Sequence, residues 1–299
     1  MIRNALSIDV EEYYHGMEFA SAIPVGKHAY LPSRVELNVD RVLELLATYG
    51  VQATFFCVGQ VAKAHPSMMR KIVNQGHEVA CHSDRHELVW RQTPDEFRND
   101  LQWARARLED LTGQPVLGYR APNYSIGREQ AWAYDILLTE GFKYDSSVYP
   151  IVHDRYGQAD APRFPYEIHR CGPDALIEFP IATRRLFGVN FPLGGGGFFR
   201  LLPTVWFRQG IRHLNHTEGQ AAMFYFHPWE LDPRQPYPRM PWRHRFRHYI
   251  NLEQMEAKLH RLLRDIPFAP VSEVLGLTQI SPALTARTNG QGGCSVIRT

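Results

Sequence analysis

Short apolar runs alternate with segments of helical periodicity along most of this chain. Residues 5–8, 53–58 and 222–226 are mostly apolar runs of strand length, typical of strands that are buried on both faces. Similar runs predict further strands at residues 77–81, 116–119, 142–144, 176–180 and 268–271. Between them apolar positions recur at helical spacing, as in residues 97–111. Strands that alternate with helices predict an α/β fold with a largely parallel sheet.

Local signals mark where helices begin and where regular structure gives way. Thr93-Pro94-Asp95-Glu96 combines an N-cap, a proline in the first turn and a capping glutamate, and Ser33 with Glu36 has the same capping spacing. Residues 150–175 and 228–248 are predicted to be irregular, and the glycines at 194–197 to form a flexible turn. The polar residues 281–299 are predicted to be a disordered tail.

Five chemically potent side chains each come directly after a predicted strand: Asp9, His82, Arg120, Asp145 and His227. The carboxyl ends of parallel strands lie on one rim of a sheet or barrel, where sites on such scaffolds form. The pattern therefore predicts one site that contains all five residues.

The spacing of two histidines predicts a metal ion in that site. His82 and His86 are four residues apart, so in a helical or tightly turned segment both imidazoles project toward one point. Asp9 and Glu11 supply carboxylates after the first strand. Two imidazoles and one carboxylate, with one position open, form the ligand set of a catalytic divalent metal. Zinc is the expected ion, and cobalt, manganese, nickel and iron accept the same ligands.

Composition narrows the class of protein. The 299 residues are 44% hydrophobic, enough for a full core, and the net charge of +2 gives no nucleic-acid signal. No apolar run approaches the roughly 18 to 20 residues that cross a bilayer, and the first residues lack a signal peptide's apolar core. We therefore expect a cytoplasmic protein without a transmembrane segment or a nucleic-acid partner. The sequence leaves the oligomeric state open, a homo-oligomer included.

Five short motifs, in order, resemble those of the polysaccharide deacetylase family, the NodB-homology carbohydrate esterases. They are Ser7-Ile8-Asp9-Val10-Glu11, His82-Ser83-Asp84-Arg85-His86, Arg120-Ala121-Pro122, Tyr144-Asp145-Ser146-Ser147 and Phe226-His227-Pro228-Trp229-Glu230. The ordered set is specific although each motif alone is not. The Asp-Val-Glu start and the run from Gly194 to Pro203 are similar to a subgroup found beside bacterial exopolysaccharide gene clusters.

The resemblance implies a fold and an activity. The fold is a distorted (β/α) barrel with fewer than eight repeats, with the deacetylase domain at residues 1–230 and an irregular C-terminal extension at residues 231–280 packed on the barrel. The activity is metal-dependent removal of N-acetyl groups from a sugar of a bacterial polysaccharide or its precursor. Two alternatives remain: a metal-dependent amidohydrolase for a small cyclic or N-acyl amide, and a non-catalytic carbohydrate-binding module.

The resemblance also implies catalytic roles. Asp9 is the general base and Arg120 pairs with it, while His227 is the general acid and Asp145 orients it.

The metal ligands implied are Glu11, His82 and His86. Most of the family has a second aspartate where this chain has Val10, so the carboxylate ligand moves to Glu11 or Glu12. Side chains two apart in a strand share a face, which favours Glu11, on the same face as Asp9.

Three residues are predicted to contact the substrate. They are Tyr124, whose backbone N–H completes an oxyanion hole, Trp229, whose ring stacks on a sugar, and His15 near the rim. A basic run, comprising Arg239, Arg243, Arg245 and Arg247, is interpreted as a solvated surface.

Overall fold

The computed structural model describes residues 2–19, 23 and 25–277 as a mostly parallel sheet with helices around it. The strands are β1 (Asn4–Val10), β2 (Thr54–Cys57), β3 (Glu78–Cys81), β4 (Gly118–Tyr119), β5 (Tyr144–Asp145), β6 (Tyr166–Cys171), β7 (Asp174–Glu178), β8 (Thr183–Leu186), β9 (Val189–Pro192), β10 (Met223–Phe226) and β11 (Phe268–Ala269). The helices are α1 (Val35–Thr48), α2 (Gly59–Ala64), α3 (Pro66–Asn74), α4 (Pro94–Thr112), α5 (Trp132–Thr139), α6 (Gly196–Leu201), α7 (Thr204–His216), α8 (Trp242–Tyr249), α9 (Leu252–Asp265) and α10 (Val271–Val274).

The central sheet is an irregular barrel. Its parallel part runs in the order β10-β1-β2-β3-β4-β5-β7. β11 also pairs with β1 in parallel, and β6 is antiparallel to β7. Beyond β7 the chain comes back beside β10. Two backbone hydrogen bonds show this: Ala182 N donates to Met223 O (3.1 Å) and Tyr225 N donates to Gly194 O (2.7 Å). Seven parallel strands and this return confirm the predicted distorted barrel with fewer than eight repeats.

Buried apolar strands explain why the sequence pattern located most of the barrel. All seven residues of β1 are buried, as are all four of β2 and of β10, because sheet neighbours flank each strand and helices cover it. The apolar face of α4 contributes Phe97, Leu101 and Leu108 to the main core. The predicted capping box at Thr93 and Glu96 is present at the start of α4.

Three local predictions are wrong. The Ser33 capping box does not form, since α1 begins after Arg34 and the Ser33 hydroxyl donates to Glu12 instead. The segments predicted to be irregular contain β6 and α8, and the β8–β9 hairpin was not predicted. These elements are mostly half-buried or exposed, so their residues carry no clear apolar period.

The C-terminal part of the described chain is integrated into the barrel. β11 pairs with β1, and Lys258 in α9 donates to the carbonyls of Phe199, Arg200 and Leu202. The domain boundary at residue 230 stays a prediction, and the predicted tail at 281–299 lies outside the described residues. Within the part of the chain that is described, no helix combines the length and apolar character needed to cross a bilayer.

Candidate active site

Three of the five strand-end residues line one cavity, and Arg120 lies behind it in contact with Asp9. Asp9 lies in β1, and His82, Arg120 and His227 directly follow β3, β4 and β10. The cavity has a volume of about 750 Å³, and Asp9, Glu11, His82 and His227 line it. Parallel strands bring these positions together because their carboxyl ends share one rim.

Glu11, His82 and His86 form a cluster that fits a divalent metal. Their ligand atoms all lie within 4.8 Å of one another, with Glu11 Oε2 2.5 Å from His86 Nε2 and 3.8 Å from His82 Nε2. The Arg120 carbonyl lies 2.8 Å from His82 Nδ1, which fixes the ring and leaves Nε2 facing the cluster. Burial lowers the pKa of His82 to about 4, so this imidazole is neutral, as a metal ligand must be.

A strained bend, not a helix, presents the two histidines. Ser83 and His86 have φ values of 67° and 58°, a left-handed conformation that is uncommon for residues with side chains. The Ser83 hydroxyl accepts from His86 N at 3.1 Å, and Asp100 Oδ2 accepts from Asp84 N at 2.9 Å. These bonds hold a backbone shape that costs free energy, as is common at functional sites.

The geometry favours Glu11 over Glu12 as the carboxylate ligand. Glu12 points away from the cluster, where its carboxylate accepts from Arg34 N at 3.1 Å and from the Ser33 hydroxyl. Glu11 accepts from the Trp229 indole N–H at 3.1 Å, which orients it toward the histidines.

Asp9 is held by a buried arginine, as predicted. Arg120 Nη1 donates to Asp9 Oδ1 at 2.6 Å and to the Ser7 hydroxyl at 2.9 Å. The guanidinium also donates to the backbone and hydroxyl of Ser146, and it lies 4.2 Å from the centre of the Phe56 ring. This buried cation holds Oδ1 and leaves Oδ2 directed toward His227, whose Nε2 is 4.0 Å away.

The partner of His227 is Glu230, which corrects the prediction for Asp145. Glu230 Oε1 lies 2.8 Å from His227 Nδ1 and also accepts from His227 N at 3.0 Å. Burial lowers the pKa of His227, but the Glu230 hydrogen bond and the charges of Glu11, Glu230 and Asp9 outweigh it and raise the pKa to about 9. His227 is therefore charged near neutral pH.

Asp145 instead belongs to a buried carboxyl pair. It is the register partner of Glu178 on the neighbouring strand, and its Oδ1 accepts from the Ser147 hydroxyl at 2.6 Å. Burial raises the pKa of both carboxyls, and the charge of Asp145 raises that of Glu178 further. Asp145 thus supports the strand end behind Arg120 and makes no contact with His227 among the described residues.

The predicted substrate contacts are also partly corrected. Trp229 lines the cavity, but it is 6% exposed and stacks against both His227 and His248, so its ring has little surface left for a sugar. The His15 ring stacks on the His86 ring, with their centres 4.9 Å apart, and His15 does not line the cavity. Tyr124 does line the cavity, but its N–H donates to Ala121 O within a 3-10 turn and is already engaged.

The sequence reasoning missed a network behind His227. Arg200 donates to Glu230 Oε2 at 2.6 Å and to the carbonyls of Arg247, His248 and Ile250. The three-residue spacing from His227 to Glu230 is a capping-box signal that identifies Glu230, whereas no local pattern identifies Arg200.

Comparisons with known proteins show similarity to deacetylases over part of the chain. Residues 31–135 match the model for "Polysaccharide deacetylase", and residues 146–276 match "Domain of unknown function (DUF3473)". A peptidoglycan deacetylase from Helicobacter pylori is 33% identical over 113 residues, which are 38% of each chain. A chitooligosaccharide deacetylase from Sinorhizobium fredii is 33% identical over 145 residues, 48% of this chain and 60% of the relative. The matched stretch thus spans less than two thirds of either relative.

Solved structures support the fold. A candidate polysaccharide deacetylase from Mycobacterium smegmatis superposes with a TM-score of 0.59 at 20% identity, over 97% of this chain and 93% of that one. Puue allantoinase has the same TM-score at 17% identity, over 91% of this chain and 88% of that one. The fold is therefore shared by proteins described with different substrates. The ordered motifs and the match of residues 31–135 to the family model make this chain similar to the polysaccharide deacetylase family.

Proposed function

We propose that this chain is a metal-dependent hydrolase that removes N-acetyl groups from a sugar of a bacterial polysaccharide or its precursor, with zinc as its ion. One observation carries the proposal: a metal-type cluster, a fixed carboxylate and a charged histidine meet in one cavity. His227 Nε2 is 4.0 Å from Asp9 Oδ2 and 3.8 Å from Glu11 Oε1. The match of residues 31–135 to the polysaccharide deacetylase model and the similarity to peptidoglycan and chitooligosaccharide deacetylases support a glycan substrate.

Each side chain then has a definite task. A divalent ion held by Glu11, His82 and His86 would acidify a water molecule and polarise the amide carbonyl. Asp9, held in place by Arg120, accepts a proton from the attacking water as the water oxygen bonds to the carbonyl carbon.

His227 completes the reaction on the other side of the amide bond. It donates a proton to the sugar nitrogen as the carbon–nitrogen bond breaks, because without that proton the nitrogen would have to leave as an amine anion, a poor leaving group. Acetate and a free amino sugar result, and Glu230 stabilises the charged imidazole before the transfer.

The test combines metal content with acetate release from N-acetylated oligosaccharides. We expect about one ion per chain in wild type and loss of that ion in Glu11→Ala. Asp9→Asn keeps the ion but loses acetate release by on the order of 100- to 10,000-fold, because only the base is removed. Glu12→Gln is the matched control for the neighbouring carboxylate and keeps both properties.

Two other results would overturn the proposal in different ways. Wild type that binds no zinc, and releases no acetate after zinc is added, would favour the carbohydrate-binding module. Bound metal with turnover of small amides but no turnover of any glycan would favour the amidohydrolase.

A further inference from the structure

Exposed apolar side chains surround the mouth of the cavity. Val152, Leu201, Trp242 and Phe246 all line it, yet they are 83%, 49%, 70% and 50% exposed. Large apolar groups clustered around one opening are unusual on a protein surface and mark an interaction site. Two of the four are aliphatic, and aliphatic side chains lack the flat ring face on which sugars stack.

The same surface is strongly basic. Residues 233–252 contain five arginines and neither aspartate nor glutamate. Among the described residues only Arg247 of these five has a carboxylate partner, Asp154 at 2.8 Å. Arg243 and Arg245 lie against aromatic rings instead, 5.4 Å from the centre of Trp242 and 5.3 Å from that of Tyr237. Two residues of the run interpreted from sequence as a solvated surface, Arg243 and Arg247, therefore line the cavity mouth.

The β8–β9 hairpin extends the apolar part of this surface. Asn190 Nδ2 donates to Pro150 O at 2.9 Å, which fixes the hairpin beside the segment that carries Val152. The Phe191 and Trp206 rings pack edge to face, with their centres 6.4 Å apart. At the hairpin turn Phe187 is fully exposed, with a φ of 51°. A phenylalanine held there in a left-handed conformation makes no packing contribution to the fold.

We propose that this surface, formed by α8, the cavity mouth and the β8–β9 hairpin, docks on an anionic phospholipid membrane. Aromatic and aliphatic side chains enter the boundary between headgroups and acyl chains, and arginines bind the anionic headgroups. The mixture of exposed Val152, Leu201 and Phe187 with unpaired arginines favours a lipid surface over an acidic glycan, which would use the charge but not the aliphatic groups. Docking turns the cavity mouth toward the membrane.

The test is flotation of the full chain with lipid vesicles, which needs no catalytic activity. Wild type should float with vesicles of phosphatidylcholine and phosphatidylglycerol in equal parts, and not with phosphatidylcholine alone. Binding should weaken between about 0.1 M and about 1 M salt, because the screening length falls from about 10 Å to about 3 Å.

Two multiple variants separate the charged from the apolar contribution. Arg239→Gln/Arg243→Gln/Arg245→Gln should lower the partition coefficient about fivefold per arginine, on the order of 100-fold in total. Trp242→Ser/Phe246→Ser should lower it about tenfold or more, through lost apolar contact. The matched controls are Arg70→Gln/Arg91→Gln/Arg212→Gln and Trp103→Ser, which alter exposed residues on other elements and should float like wild type.

Three outcomes would overturn the proposal. The first is no flotation of wild type with the anionic vesicles, and the second is equal loss of flotation in the controls. The third is retention of wild type on alginate, an acidic polysaccharide, without vesicle binding, which would assign the surface to a glycan. Thermal unfolding of each variant distinguishes loss of docking from loss of folding. All the substituted side chains are exposed, so we expect the variants to unfold like wild type.

Discussion

At the scale of single residues, the charge state of His227 is controlled by a neighbour three positions along the chain. Glu230 contacts both the backbone and the ring of His227, and Arg200 holds the other Glu230 oxygen. Asp145, which the family motif assigned to this task, lies instead against Glu178. The motif identified the residue types correctly, but it could not specify which carboxylate contacts the histidine.

We predict that Glu230→Gln lowers kcat on the order of 10- to 100-fold, as loss of an orienting partner commonly does. Activity requires the imidazolium, so it declines as pH rises through the pKa of His227. Removing the charge that raises this pKa moves the alkaline limb of the profile of kcat/KM against pH toward lower pH.

The control for this prediction is Asp145→Asn. It should leave the position of the alkaline limb unchanged, because Asp145 makes no contact with His227 among the described residues. An equal displacement of the limb in Asp145→Asn would show that Glu230 is not the controlling carboxylate.

The buried pair Asp145 and Glu178 predicts a distinct dependence of stability on pH. Burial raises the pKa of both groups, so the folded chain retains protons that the unfolded chain releases above about pH 4. The pair's contribution to the free energy of unfolding therefore falls as pH rises above this value. Asp145→Asn removes one ionisable member, and the decline should become shallower in urea unfolding measured across pH.

An exposed aspartate provides the comparison for that measurement. Asp110 lies on the outer face of α4, and Asp110→Asn should preserve the wild-type slope. Parallel curves for wild type and Asp145→Asn would contradict the assigned pKa shifts.

At the scale of elements, glycines at 194–196 pack directly against β10. A Cβ at Gly195 would lie 2.0 Å from Tyr225 O, and one at Gly196 would lie 2.4 Å from the Tyr225 hydroxyl. The segment predicted to be a flexible turn is therefore closely packed against β10, the strand that directly precedes His227.

We predict that Gly195→Ala lowers the free energy of unfolding by roughly 3 kcal/mol or more, since it combines a backbone clash with a φ of 114°. The matched control is Gly219→Ala, at a φ of 67° with nothing within 4 Å of its Cβ, which should cost about 1 kcal/mol. Urea unfolding measures both. Equal losses would mean that packing against β10 is unimportant.

How far the sequence predicts each element depends on burial. Strands such as β1, β2 and β10 are buried on both faces, so their apolar runs are visible without any knowledge of neighbours. The β8–β9 hairpin and α8 lie at the surface, where no apolar period develops, and the sequence missed both. Asp9, Glu11, His82 and His227 were predictable because each lies at or just after the end of such a strand, whereas Arg200 approaches from a helix distant in sequence.

At the scale of the whole molecule, the metal cluster links ligand binding to stability. Glu11 follows β1 and His82 follows β3, so an ion bound by both joins separate parts of the barrel. At an ion concentration of 100 times Kd the gain is about 2.7 kcal/mol, which raises Tm by roughly 5 to 10 °C. We predict this shift with zinc in wild type and Glu12→Gln, and its absence in Glu11→Ala. A shift that persisted in Glu11→Ala would locate the ion elsewhere.

The pairing of β1 with β11 has a consequence for how the chain folds during synthesis. β1 emerges first and carries Asp9, but its neighbours β10 and β11 end only at Phe226 and Ala269. Contacts between such distant parts of a chain form slowly, because a long loop must close before they contribute. Until then the buried edge of β1 offers unpaired backbone groups to other nascent chains. We therefore expect the candidate site to be completed only when β10 and β11 have been synthesised, after nearly all of the barrel has left the ribosome.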